Sequence, residues 1–346
     1  MTFSIRRALG VAVVAAAAGA GPLAAQGSQA PQVTVGGLAY LQYVYQAKDT
    51  ANHQNNFDVT RAYININARF SGGVSARITP DIFRDATDGS LRYRLKYAYA
   101  TWTPNNSPLT LKLGVLHTPW LDWEEALWDY RMQGTMALDR NGFMSAADIG
   151  AGVDGKWGPD KVNMQVTVVN GENYNGGPGD QRKDVMGRVS VRVMDTDDSS
   201  RVGGLRVTAY GQYGKPTSGG KRERWIGMVS YRSKLLTVAA EAAITRDTVT
   251  GPTPAPRSDT NGHVYSAFGV YKVPRSKVAV IARVDVFDPQ AGVADDRRTR
   301  FIGGLSYQLS PNLRVLADWD YLSYQTDPTP ADLNRSQALF QTQFTF

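Results

Sequence analysis

In the run LRYRLKYAYA, Arg92, Arg94 and Lys96 alternate with Tyr93, Leu95 and Tyr97. On an extended strand their side chains share one face and stand about 7 Å apart. Arg61, Arg69, Arg77 and Lys112 hold the matching parity in neighbouring runs. Farther along come Lys156, Lys161, Arg188, Arg192, Arg206, Arg283, Arg300 and Arg314. Acids on that parity are fewer: Asp81, Asp148, Asp154, Glu241, Asp285, Asp318 and Asp320. Stacked guanidinium and ammonium groups do the chemistry of anion coordination. Their donors replace part of an anion's hydration and their field raises its local concentration. Arginine adds paired donors that fit carboxylate and phosphate oxygens. If Asp318 and Glu241 faced the basic wall across a lumen, a transverse field would result and charge preference would be weak.

Other chemistries find little support. The chain has three histidines, His53, His117 and His263, and no serine and carboxylate partner is evident beside His117, so a hydrolase built on a general base is the weaker alternative. Gly150, Gly152 and Gly155 match GxGxxG, but they lie inside an alternating run with no helix to receive a pyrophosphate. Asp195, Asp197 and Asp198 read as a solvated turn rather than a cation site. With no cysteine there is neither a disulfide framework nor a thiolate metal site. No metal or cofactor is called for. The pI near 9.4 does not point to nucleic acid, because the basic residues are spread over one parity of many runs instead of forming one exposed patch.

The elements that would carry these residues are strands. From Phe57 to Phe70, Thr60, Ala62, Ile64, Ile66 and Ala68 fall on one parity and Arg61, Tyr63, Asn65, Asn67 and Arg69 on the other. A period of two marks a strand with one apolar and one polar face. The split recurs at Leu109–Val115, Val162–Val168, Val185–Val193, Val278–Val286 and Leu313–Tyr321, while the runs near Trp225 and Val264 have ambiguous parity. Charges almost never land on the apolar parity, as lipid exposure requires, since a charge at mid-bilayer costs roughly 2–4 kcal/mol. Connections alternate short and long, with Met194 to Gly204 longer than its short class. The pattern predicts an all-β fold, a transmembrane antiparallel β-barrel of about 16 strands in outer-membrane lipid, with short periplasmic turns and long external loops.

One stretch refuses to alternate. Leu116 to Ala147 crowds Trp120, Trp123, Trp128 and Tyr130 among Asp122, Glu124, Glu125, Arg131, Asp139 and Arg140. A loop of this length is uncommon in a compact domain and usually functional. It is expected to be the third external loop, folded inward to narrow a water-filled channel, with Arg131 and Arg140 at the constriction. Its aromatics could offer a sliding surface to sugars or aromatic acids; packing on the wall is the commoner fate of such residues.

Residues 1–25 place Arg6 and Arg7 before an apolar run and the small residues Ala24 and Ala25, the order of a cleaved secretory leader. The remainder, 26–346, leaves no room for a second domain. Ala338, Phe340, Thr342, Phe344 and Phe346 alternate to an aromatic end, which resembles the signal by which bacterial outer-membrane proteins are recognised for insertion.

The runs FDVTRAYININARFSGGVSARITPD, LKYAYATWTP, LKLGVLHTPW, VVNGENYN and KDVMGRVSV also resemble the phosphate-selective porin O/P family. That resemblance implies a trimeric outer-membrane channel of small anions with a basic lumen, to which Arg61 and the LRYRLKYAYA cations correspond in kind. The acids Asp122, Glu124 and Glu125 of the long loop depart from it. A general-diffusion or a sugar- or carboxylate-preferring porin is the alternative.

Overall fold

Period-two alternation carries the chain into strands that pair with their sequence neighbours all the way round. The structure is a computed structural model that describes residues 30–177, 180–216, 220–250 and 257–346. The expected leader, residues 1–25, lies outside the described residues.

Among the described residues there are sixteen strands: β1 Gln32–Gln46, β2 Asn55–Arg69, β3 Val74–Arg84, β4 Leu91–Trp102, β5 Leu109–His117, β6 Ala147–Trp157, β7 Val162–Val169, β8 Asp184–Met194, β9 Gly204–Gly214, β10 Arg222–Arg232, β11 Leu236–Thr250, β12 Arg257–Lys272, β13 Val278–Asp288, β14 Arg298–Ser310, β15 Leu313–Tyr324 and β16 Ser336–Thr345. Every neighbour pairs antiparallel, and β1 pairs with β16 to close the barrel. Closure removes the open sheet edge, so every strand finds its hydrogen bonds within the protein. The short connections lie at one end. At the first of them, Gly73 has φ 76°, and a Cβ there would sit 2.1 Å from the Thr103 carbonyl oxygen, so only glycine fits.

The two faces follow the sequence parity. On β9, Arg206, Thr208, Tyr210 and Gln212 are buried inside, whereas Val207 and Tyr213 are half exposed outside. The ambiguity of β10 and β12 has a structural cause. Their inward residues Ile226, Met228, Val264, Phe268 and Val270 are themselves apolar and buried, because a protein core rather than water fills that side of the barrel. One loop boundary also moves: the connection expected from Asp247 to Gly262 is shorter, since β11 and β12 stay paired out to Thr250 and Arg257.

The filling core is the long segment after β5. It contains two helices, α1 Pro119–Leu127 and α2 Ala137–Arg140. Proline at the first helical position and Asp122 in the first turn favour the start of α1.

Candidate functional site

Inside a barrel, an irregular segment needs partners for its carbonyl groups. Here the inner wall supplies them, mostly as arginine. Arg188 donates to the Pro119 oxygen (3.1 Å), Arg201 to Asp122 (2.6 Å), Arg232 to Ala126 (2.8 Å), Arg314 to Asp129 (3.0 Å), Arg283 to Thr135 (3.1 Å) and Arg224 to Phe143 (3.1 Å). Gln341 donates to Met132 (2.8 Å). Donors on β8, β10, β13, β15 and β16 therefore hold the segment from top to bottom. Arg232 sits at the carbonyl end of α1, where a cation also complements the helix dipole. Arg201 comes from the long turn between β8 and β9, and its second bond, to Asp122 Oδ2, is 2.5 Å.

This anchoring changes several expected roles. Arg188 and Arg283, expected to line the channel, are buried: Arg188 lies 4.0 Å from the Trp123 ring, and Arg283 pairs with Asp285 at 2.8 Å. Trp120, Trp123 and Glu124, expected at the constriction, are fully buried against the wall. For the tryptophans, packing is the outcome, because the inner faces of β9 to β14 offer apolar partners such as Tyr210 and Phe268. Asp318 and Glu241 do not face the basic wall. They lie under the loop, Asp318 within 3.4 Å of Gln133 and Glu241 beside Glu124. Burial and the neighbouring Glu241 carboxylate push the Glu124 acid well above the usual carboxylate range.

Other cations sit at the ends. Arg92 belongs to the rim, paired with Asp85 and Asp88 at 2.7 Å each, and Arg192 pairs with Asp195 (3.2 Å) at the opposite end. Arg140 is 3.7 Å from Asp320 and shares a small cavity with Arg298 and Arg300; burial and the charges of Arg283 and Arg300 lower its pKa to about 10.

The open space runs along the opposite wall, β1 to β5. One cavity of about 360 Å³ is lined by Tyr40, Arg61, Tyr63, Arg77, Tyr97 and His117 from the strands, and by Asp122, Glu125, Asp129 and Arg131 from the loop. A second, of about 390 Å³, continues toward the short turns past Asn67, Arg69, Arg77, Tyr99 and Thr101. Arg77 lines both. The loop acids are each paired: Glu125 with Arg131 (2.8 Å), Asp122 with Arg201, and Asp129 with Arg232 (3.2 Å) and Lys272 (3.6 Å). Burial raises the Asp122 and Glu125 carboxyls, but Arg201 and Arg131 respectively outweigh it and hold both below the ordinary range. On the wall, Lys112 pairs with Asp154, and Arg61 stands 3.9 Å from Asp81. Arg77 has no carboxylate partner among the described residues; it donates to Asn65 (2.8 Å), Thr79 (2.9 Å) and His117 Nε2 (3.3 Å).

Strict parity misses Tyr97 and Tyr99 on this wall, though it places Tyr63 with Arg61. β4 is irregular where Thr79 pairs with Tyr97 and Pro80 with Leu95, so that Lys96 and Tyr97 are both buried. Above the bulge Arg94 and Lys96 point inward, and below it Tyr97, Tyr99 and Thr101 do. Pro80, which cannot donate to a ladder, was the signal in the sequence. Gly150, Gly152 and Gly155 lie within β6, and Asp195, Asp197 and Asp198 accept bonds within and around their turn.

A sequence model described as Gram-negative porin matches residues 11–327. The chain belongs to the Gram-negative porin family. No curated protein matches it in sequence. Among solved structures, this porin is similar to an anion-selective porin from Comamonas acidovorans (12% identity, TM-score 0.67, covering 92% of this chain and 100% of that one). It is also similar to OmpT of Vibrio cholerae in its trimer form (14%, 0.64, 92% and 100%) and to Salmonella typhi OmpF in complex with daunomycin (14%, 0.65, 91% and 97%). At these identities the likeness establishes the fold. Family and fold together make the protein an outer-membrane porin, a channel for passive diffusion. The family shown is broader than the phosphate-selective group that GVLHTPW and NGE resemble.

Proposed function

We propose that this porin passes small solutes with a modest preference for anions, inorganic oxyanions such as phosphate among them. The observation that carries the reading is Arg77, a cation common to both stretches of the open path and without a carboxylate partner among the described residues. Arg69 adds a second cation toward the short-turn end. The similarity to the anion-selective porin of Comamonas acidovorans agrees with this. Passage is diffusive, with no covalent step, metal or cofactor. The working form is a homotrimer, in line with the trimer form of the Vibrio cholerae neighbour, embedded through the apolar outer face in outer-membrane lipid after removal of residues 1–25.

The test is the reversal potential of the purified protein in a planar bilayer under a potassium chloride gradient, repeated with phosphate added. A potential of the anion-selective sign supports the proposal, and block of the chloride current by phosphate supports the oxyanion part. A cation-selective sign would overturn it. One observation favours a second reading. Asp122, Glu125 and Asp129 of the loop face Arg61 and Arg77 across one cavity, the transverse arrangement of a general-diffusion porin. That reading expects a potential near zero.

A further inference from the structure

Several cations of the open wall lie over aromatic rings. From the external side inward, Arg94 is 4.8 Å from the centroid of Tyr174, Arg61 is 4.9 Å from Tyr63, Arg77 is 4.9 Å from Tyr97, and Lys112 is 6.0 Å from Tyr99. Lys96 bridges the first two steps, donating to the Tyr63 hydroxyl at 2.6 Å. At the waist the ring array is continuous. His117 stacks on Tyr97 with centroids 3.8 Å apart and planes 24° apart, and meets Tyr99 edge-on at 5.6 Å. Because Arg77 can only donate, His117 Nε2 accepts, and the imidazole is a neutral flat ring in this arrangement.

We infer that this ladder is a binding track for aromatic monocarboxylates, and that planar aromatic acids are the preferred solutes within the anion class proposed above. After its bonds to Asn65, Thr79 and His117, Arg77 keeps two of its five N–H groups for a carboxylate, while the half-exposed rings of Tyr63, His117 and Tyr99 accept a flat ligand. Inorganic anions use only the edge. An aromatic carboxylate uses edge and ring together, and passes from one rung to the next by exchanging like contacts. The facing loop, with Asp122, Glu125 and Asp129, favours a single charge: the Asp122 and Glu125 carboxylates, kept charged by Arg201 and Arg131, repel a dianion more than a monoanion. Those acids are also engaged by Arg201, Arg131 and Arg232, which leaves them poor acceptors for sugar hydroxyls and argues against a sugar track. The cavity of about 360 Å³ lies within the usual range of small-molecule sites, roughly 300–1,000 Å³.

The inference rests on the porin reading, and its test separates the two. Chloride current through the purified full-length protein is titrated with benzoate, with cyclohexanecarboxylate, which has the same charge and a non-planar ring, and with acetate. Ring stacking and cation–aromatic contacts predict block by benzoate at about three- to tenfold lower concentration than by cyclohexanecarboxylate. Equal block by the two ring acids would overturn the inference, whatever the salt-gradient potential shows. In Tyr63→Leu with Tyr97→Leu the benzoate advantage should vanish while the potential keeps its sign; an advantage that survives the double substitution also overturns it. Should the variant not assemble, the comparison on the unsubstituted protein still decides.

Discussion

Arg77 and Glu124 illustrate two fates of a charged residue inside one barrel. Arg77 faces water with polar neutral partners, so its field acts on whatever passes. A unit charge at about 4 Å in water is worth about 1 kcal/mol, or about fivefold in local ion concentration. Arg77→Gln should therefore lower the chloride-to-potassium permeability ratio by up to about fivefold; an unchanged ratio would remove this residue from the selectivity account. Glu124 sits on the loop's own helix α1 and faces the wall beside Glu241, where burial raises its pKa. A carboxyl whose docked pKa is raised keeps its proton after the undocked form has lost it. Docking is thus at full strength below the ordinary carboxylate range and weakens as pH rises through the docked value. Acrylamide quenching of the loop tryptophans should increase on going from about pH 5 to about pH 9, and Glu124→Gln should flatten the rise. Parity alone put Arg77 on the correct face, because β3 is regular up to Thr79. It could not anticipate Glu124 beside Glu241, a contact between residues far apart in sequence.

At the scale of elements, the long loop behaves as part of the wall. Its helix α1 is held near its start by Arg188, in its first turn by Arg201 and at its end by Arg232. A charge-assisted bond contributes roughly 1.5–3 kcal/mol, and Arg232 also bonds Asp129 and Asp198. Arg232→Ala should destabilise loop docking by at least that amount and appear as noisier single-channel current with a lower closing voltage; a trace as quiet as the parent's would show that the other clamps suffice. The sequence announced this loop by its failure to alternate and by its crowd of tryptophans. It did not announce the clamps, because an arginine that bonds a distant carbonyl looks the same in a sequence as one that faces water. For the same reason β10 and β12 seemed ambiguous: Ile226 and Phe268 point inward, as only a filled interior allows.

For the whole molecule, nearly all of the architecture was legible, since lipid outside and polar groups inside impose period two on every strand that faces water. The seam is the most exposed part of that design. Gly37 and Phe346 exchange backbone bonds of 2.9 and 3.1 Å, and a Cβ on Gly37 would meet the Phe346 ring at about 2.1 Å. Deleting Phe346 removes both bonds and should lower resistance to denaturant by about 1–3 kcal/mol, read as an earlier loss of the heat-resistant folded band on a gel; an unshifted band would show that the seam closes without it.

Joining β1 to β16 also has a consequence in time. Gln42 and Gln341, bonded across that seam, are separated by 299 positions, so β1, paired with β2 on one side, waits for β16 before its other edge has a partner. Until then the chain carries two bare sheet edges, the surfaces on which strands of separate molecules aggregate. A cell making this porin must keep the whole polypeptide unfolded and escorted across the periplasm, and any stop codon upstream of β16 yields material for proteases rather than a smaller channel.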